Sequence, residues 1–118
     1  YTHHGGDLNI DHELTNRAVL TATRPTEGGT VKEVYAFEVP SSSEWSFQQS
    51  EPVFRPNTFV DIGETLELKV RAMERYVSEA RSFPHPRSPE ALRAAAHRWG
   101  SVVGRPAAEA FVLLRAVQ

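Results

Sequence analysis

The chain contains no cysteine among its 118 residues. That absence excludes a disulfide framework and thiolate catalysis, and it fits a reducing compartment, so we expect a cytoplasmic protein. The charge balance is small, with a formal net charge of -2 and a pI near 6.2. Nucleic acid and anionic membrane surfaces are therefore not expected as partners. Without thiolates, any metal ion would be bound by histidine and carboxylate side chains.

Long apolar runs are missing as well. No stretch approaches the roughly 20 apolar residues of a transmembrane helix, so no membrane span is expected. A mass of 13.2 kDa allows one domain or part of one. Because a polar motif follows Tyr1 at once, with no strand or helix in front to position it, we expect the chain to start inside a larger domain.

That motif, THHGGDLNIDH, holds three histidines, two aspartates and one asparagine. Imidazole and carboxylate are zinc ligands, and His12 is the best candidate because a helix predicted to start there would fix its backbone. Asp11 would cap that helix and orient a neighbouring donor. The spacing matches no standard zinc pattern. The adjacent glycines allow close approach to a ligand, so other polar side chains of the motif could line the same pocket: His3, His4, Asp7 and Asn9. Alternatively, Asp7 and Asn9 form turns, Asp11 is only a cap, and the histidines are exposed loop or tag-like residues.

Helical and extended patterns alternate along the chain, which indicates an α/β fold. A helix is expected over 12–23, with an apolar face formed by Leu14, Ala18 and Ala22. A buried strand over 31–39 and a short strand over 57–61 are separated by a long polar loop. Ligand sites of α/β sheets lie at the carboxyl ends of strands, and the opening motif fits that location.

Two helices are expected in the second half. Asp61 and Glu64 have capping-box spacing and precede an apolar stripe formed by Ile62, Leu66, Val70, Met73 and Val77. Ser88 and Pro89 predict the start of the other helix. It should contain Gly100, end at Gly104 and bury a face formed by Leu92, Ala95, Trp99 and Val102. The last segment, 108–117, is either an edge strand or a short helix.

The stretch THHGGDLNIDHELTNRAVLTATRP resembles the second signature of the LmbE-like (PIG-L) family of zinc-dependent N-deacetylases, a histidine-rich loop ending in Asp-His at a helix start. Four later stretches are similar to bacterial members acting on N-acetylglucosamine-type sugars: YAFEVPSSSEW, FRPNTFVDIGETLELKV, SFPHPRSPEALRAAAHRWG and VGRPAAEAF. The resemblance implies that residues 1–118 are the C-terminal part of a single LmbE-like deacetylase domain. Its fold would be Rossmann-like, in three α/β/α layers around a mostly parallel sheet.

The resemblance also implies site roles. His12 would be the third zinc ligand and Asp11 its acidic partner, while the other ligands and the general base belong to an AHPDDE-type motif that this sequence lacks. Asn9 lies where some relatives have a histidine that polarises the amide or protonates the leaving amine. Asparagine can donate a hydrogen bond but cannot transfer a proton, so the acid would be His4 or His85.

Sugar recognition would fall to polar and aromatic loop residues. Trp45 could stack on the pyranose ring, Asp7 and His85 could line the pocket, and Arg87 could meet a substrate phosphate. Hydroxyl groups would be bound by Glu38 and Glu44. Their alternative roles are structural: Trp45 would cover a core edge, Glu38 and Arg87 would be solvated charges, and His85 would pack between prolines.

The implied activity is zinc-assisted removal of an acetyl group from an N-acetylglucosamine-type sugar or conjugate. The alternative is a non-catalytic relative that binds a sugar or a protein partner and keeps the fold without the full metal site. A third alternative is an inactive, truncated product of a true deacetylase. In a truncated domain, exposed sheet edges and apolar helix faces would favour self-association into a homo-oligomer.

Overall fold

The computed structural model describes all residues from 1 to 118. It contains three α-helices, a short 3-10 helix and one sheet of four strands, which confirms the α/β class. The strands are β1 (Thr2–His3), β2 (Glu33–Phe37), β3 (Thr58–Asp61) and β4 (Ala108–Ala116). The helices are α1 (Ile10–Ala22), α2 (Leu66–Glu74) and α3 (Pro89–Val102). None of these helices combines the length and apolarity needed to cross a membrane.

The sheet has the strand order β1-β2-β4-β3. β1 pairs with β2 in parallel, with His3 opposite Phe37, whereas β2 pairs with β4 antiparallel, with Phe37 opposite Phe111. The sheet is therefore mixed, where a mostly parallel sheet was expected, and the three-layer LmbE-type architecture stays a prediction. The terminal segment forms β4, an interior strand of the sheet, so neither the edge strand nor the short helix expected there is present.

The chain divides into two compact units. Unit one comprises residues 1–58 and 111–118, and unit two comprises residues 59–110. Unit two has a hydrophobic core of its own, against which Met73 packs, formed by Ile62, Leu66, Val70, Leu92, Ala96 and Ala107. The assignment of the chain to a single domain stays a prediction.

Helix α1 begins earlier than predicted and buries a different face. Its N-cap is Asn9, whose extended backbone lets its side chain accept a hydrogen bond from the Asp11 backbone N–H, so the expected cap at Asp11 was wrong. The expected apolar face (Leu14, Ala18 and Ala22) is exposed. Asn16 is buried instead, because its Nδ2 donates to the His3 carbonyl at 2.8 Å. A polar contact thus connects α1 to the end of β1.

Helix α2 begins after its predicted start. The Asp61 side chain accepts from the Gly63 backbone N–H at 2.9 Å, which closes a turn before the helix and makes the expected capping box wrong. Most of the predicted stripe is confirmed, because Ile62, Leu66 and Val70 lie in the core. Val77 lies beyond the helix and is 85% exposed.

Helix α3 begins as predicted, with Ser88 accepting from the Ala91 N–H at 3.1 Å and Pro89 in the first turn. Its buried face is shifted by one residue from the prediction and contains Leu92, Ala96 and Gly100, while Ala95 and Val102 are exposed. The shift follows from Gly100, which lets the chain after the helix pass close by. A Cβ atom there would lie 2.6 Å from the Arg105 carbonyl oxygen.

Candidate functional site

The candidate site lies where β1 and β2 end. Because these strands are parallel, their carboxyl ends meet at one edge of the sheet, and the segments that follow them are neighbours. The His4 N–H donates to the Phe37 carbonyl at 2.9 Å, and the Leu8 N–H donates to the Ser42 carbonyl at 3.4 Å. The opening motif and the serine-rich loop after β2 therefore form one structure.

Asp7 lies at the centre of this structure, and its side chain is fully buried. Oδ1 accepts hydrogen bonds from the Ser42 hydroxyl and, at 2.8 Å, from the Asn9 N–H, while Oδ2 accepts from the Ser43 hydroxyl at 2.8 Å. Burial raises the pKa of the carboxyl, but these hydrogen bonds and the nearby His12 imidazole together hold the pKa below its usual value. Asp7 is thus a buried, ionised carboxylate.

The imidazole of His12 faces that carboxylate. Its Nδ1 lies 3.1 Å from Oδ1 of Asp7, within ion-pair distance, but the contact lacks the direction of a hydrogen bond and Nδ1 has no hydrogen-bond partner. Asp11, the residue expected to be its acidic partner, is exposed. The acid beside the His12 ring is Asp7, and the catalytic role of Asp11 stays a prediction.

His3 packs against the ring of His12. Its ring is stacked on that of His12, with centroids 4.3 Å apart and planes 20° apart, and it also contacts the ring of Phe37. Burial lowers the pKa of His3, the nearby His12 lowers it further, and Asp7 opposes both effects. Its Nδ1 is buried without a hydrogen-bond partner. His3 therefore favours the neutral state in which it can stack.

His4 is buried in a separate environment. Its ring meets Phe54 edge-on at 5.2 Å and hydrogen-bonds to the Pro52 carbonyl. Burial lowers the pKa of His4, against the opposing effects of that hydrogen bond and of Asp7. These contacts give His4 a structural role in unit one, and its assignment as the acid stays a prediction.

A complete metal site is not formed by the chain itself. No group of three or more histidine, aspartate or glutamate side chains is arranged to hold a metal ion. The stacked rings of His3 and His12 direct their nitrogen lone pairs along nearly parallel planes, so the two rings do not converge on one ion in this arrangement. His12 backed by Asp7 fits one ligand position, because metal-binding histidines commonly have a carboxylate behind them.

The residues expected to bind substrate are divided between the two units. In unit one, Glu38 directly follows β2 and is half-buried, and Trp45 lies in the short 3-10 helix (Glu44–Ser46) and is 41% exposed. The Glu44 carboxylate accepts from the Ser41 N–H at 2.8 Å and from the Ser42 N–H at 3.3 Å. Glu44 therefore stabilises the loop through its own backbone.

His85 and Arg87 belong to unit two. The Arg87 N–H donates to Nδ1 of His85 at 3.1 Å, and the Arg87 guanidinium forms an ion pair with Glu79. Both side chains thus have local partners within unit two. Their roles toward a substrate stay predictions.

Sequence reasoning missed three side chains that hold the site together: Asn16, Ser42 and Ser43. One signal was available for the serines. A run of small hydroxyl residues lies in the loop after β2, which is parallel to the strand carrying the motif, and donors to a motif carboxylate would lie there.

No protein-family model, curated protein or solved structure matches the chain. The LmbE-like assignment therefore stays a proposal, carried by the motif residues and by the geometry around His12.

Proposed function

We propose that this chain forms one wall of the active site of a zinc-dependent N-deacetylase acting on an N-acetylglucosamine-type sugar or conjugate. The observation that carries the proposal is His12, held in the first turn of α1 with Asp7 behind its Nδ1 at 3.1 Å. The resemblance of the opening motif to the LmbE-like family supports the same role. The finer fold assignment, a partial Rossmann-like domain, belongs to this proposal.

Under this proposal His12 is the one zinc ligand from these residues, and the others come from outside them. The ion, when bound, supplies Lewis-acid polarisation of the acetyl carbonyl and lowers the pKa of water. Asn9 is placed beside His12 at the start of α1, and its Oδ1 is engaged by the Asp11 N–H. Its amide nitrogen is therefore the group that can donate to the substrate carbonyl.

Trp45 supplies the sugar platform in this proposal. It lies two residues after Ser43, which donates to Asp7, so the loop that carries the indole is connected directly to the carboxylate behind His12. An indole that is 41% exposed has apolar surface on which a pyranose ring can stack. The same feature favours the alternative function, sugar binding without catalysis.

The test is zinc content by metal analysis, with acetate release from N-acetylglucosamine measured in the same samples. Both the 118-residue chain and the longest natural polypeptide that contains it are examined. We expect the longer polypeptide to bind zinc and to release acetate. Both properties should be lost in His12→Ala. Both should be kept in the control His97→Ala, which alters an exposed histidine of α3.

Zinc binding and acetate release that survive His12→Ala would overturn the proposal. Sugar binding without acetate release in any zinc-loaded sample would establish the non-catalytic alternative.

A further inference from the structure

We propose that Asp7 is a positioning residue for His12: it holds the imidazole in the tautomer whose proton is on Nδ1, which leaves the lone pair on Nε2. The inference rests on the proposed function for its purpose, because the tautomer decides which nitrogen of His12 can bind an ion. It also changes the expected role of Asp7, from a substrate-binding residue to one that acts through its neighbour.

The electrostatic field of Asp7 favours the tautomer protonated on Nδ1. Oδ1 of Asp7 lies 3.1 Å from Nδ1 of His12, and the Asp7 side chain is fully buried while that of His12 is 19% exposed. An unprotonated Nδ1 would hold its lone pair beside a carboxylate, with little water to screen the repulsion. A protonated Nδ1 places the positive end of an N–H dipole there, and the attraction is strong in such a poorly solvated position.

The contact between His12 and Asp7 is not a well-directed hydrogen bond, and the other partners of the carboxylate account for this. Oδ1 of Asp7 already accepts from the Ser42 hydroxyl and from the Asn9 N–H, which use both of its lone pairs. The N–H of His12 therefore meets the charge of the carboxylate rather than a vacant lone pair. The attraction between this charge and the N–H dipole still selects the tautomer, because it needs less exact alignment than a hydrogen bond.

The Asp7 carboxylate and the His12 ring are both held in place by their other neighbours. The Ser43 hydroxyl oxygen accepts from the Val39 N–H at 2.8 Å, and its hydrogen is donated to Oδ2 of Asp7. The carboxylate is thus fixed by two serines and one backbone amide. On the other side, the His3 ring stacked at 4.3 Å restricts rotation of the His12 ring.

The experiment is a long-range ¹H–¹⁵N correlation spectrum of the histidine side chains in the ¹⁵N-labelled chain, recorded without metal at about pH 8, where imidazole is neutral. The His12 signals are identified as those missing in His12→Gln. We expect His12 to carry its proton on Nδ1 and to show an unprotonated Nε2. A wild-type His12 protonated on Nε2 would overturn the proposal, with no variant needed.

Two matched variants then test the cause. Asp7→Asn removes the buried charge and should shift the His12 population toward the tautomer protonated on Nε2. Asp11→Asn removes the exposed neighbouring charge and should leave the wild-type population unchanged. If Asp7→Asn does not fold, Ser43→Ala serves in its place, with a smaller shift expected.

A wild-type tautomer population in Asp7→Asn, or an equal shift in Asp11→Asn, would overturn the role of Asp7. The measurement needs neither zinc nor substrate. It therefore separates failure of this inference from failure of the deacetylase proposal, which is detected by zinc content and acetate release.

Discussion

The imidazole rings of His3 and His12 are stacked with centroids 4.3 Å apart, although His3 belongs to β1 and His12 to the first turn of α1. The stack joins a strand to a helix through two side chains. We expect His3→Ala to lower the free energy of unfolding by about 0.5–1.5 kcal/mol beyond the loss of buried area, the range measured for aromatic pairs. Urea unfolding measures the change.

The matched variants are His3→Phe, which keeps an aromatic ring at that position, and His97→Ala, which alters an exposed histidine of α3. We expect His3→Phe to recover most of the lost stability. A loss in His3→Ala no larger than that in His97→Ala would show that the stack contributes nothing.

The buried His4 predicts that stability falls on mild acidification. Burial holds the pKa of His4 below its usual 6.5, so the folded state binds fewer protons than the unfolded state. The contribution of neutral His4 to the free energy of unfolding is therefore complete above about pH 6.5, and it is lost as the pH falls through the folded-state pKa. We expect urea unfolding to show a smaller loss of stability between about pH 7 and pH 5 in His4→Gln than in the wild type.

Part of the pH dependence should remain in His4→Gln, because the pKa of His3 is lowered in the same direction. The control is His97→Gln on the exposed surface of α3. A pH dependence in His4→Gln that equals the wild-type dependence would contradict the prediction.

The close approach of the backbone to Gly100 predicts that alanine, the best helix-forming residue, destabilises the protein at this position of α3. Alanine is favoured over glycine by about 1 kcal/mol in a helix interior. Its Cβ, however, would lie 2.6 Å from the Arg105 carbonyl oxygen and 2.8 Å from the Ala107 nitrogen, both backbone atoms. We expect Gly100→Ala to destabilise the protein by about 1–3 kcal/mol in thermal or urea unfolding.

The exposed neighbour supplies the control for this prediction. Ser101→Ala adds the same residue to the same helix without a clash and should change stability by less than about 0.5 kcal/mol. Equal or higher stability in Gly100→Ala would show that the backbone after α3 moves away at little cost.

The fold could be predicted from the sequence where the local signal and the packing agree. Ser88 followed by Pro89 marked the start of α3 because both cap chemistry and backbone geometry act within one turn. The buried face of α3 could not be placed to the residue, because it depends on where the chain passes Gly100 after the helix ends. The last strand was ambiguous for a similar reason: its partners are distant in sequence.

The site could be predicted only in part. The residue types of the opening motif indicated a polar cluster, and the structure brings His3, Asp7 and His12 into contact. The choice between Asp7 and Asp11 as the acid beside His12 was beyond sequence reasoning. Asp11 is adjacent in the chain, but it is exposed on the helix, whereas Asp7 is held inward by serines from the loop after β2.

The position of β4 has a consequence for the order in which the protein folds. β4 lies between β2 and β3 in the sheet, yet residues 108–116 are synthesised after all of its partners. During synthesis β2 therefore leaves the ribosome without its antiparallel neighbour, and one of its edges stays unpaired until the whole of unit two has emerged. Unit two, whose core residues lie within 62–107, can bury its apolar side chains before that time. Until β4 is made, the unpaired edge of β2 can pair with a strand of another chain.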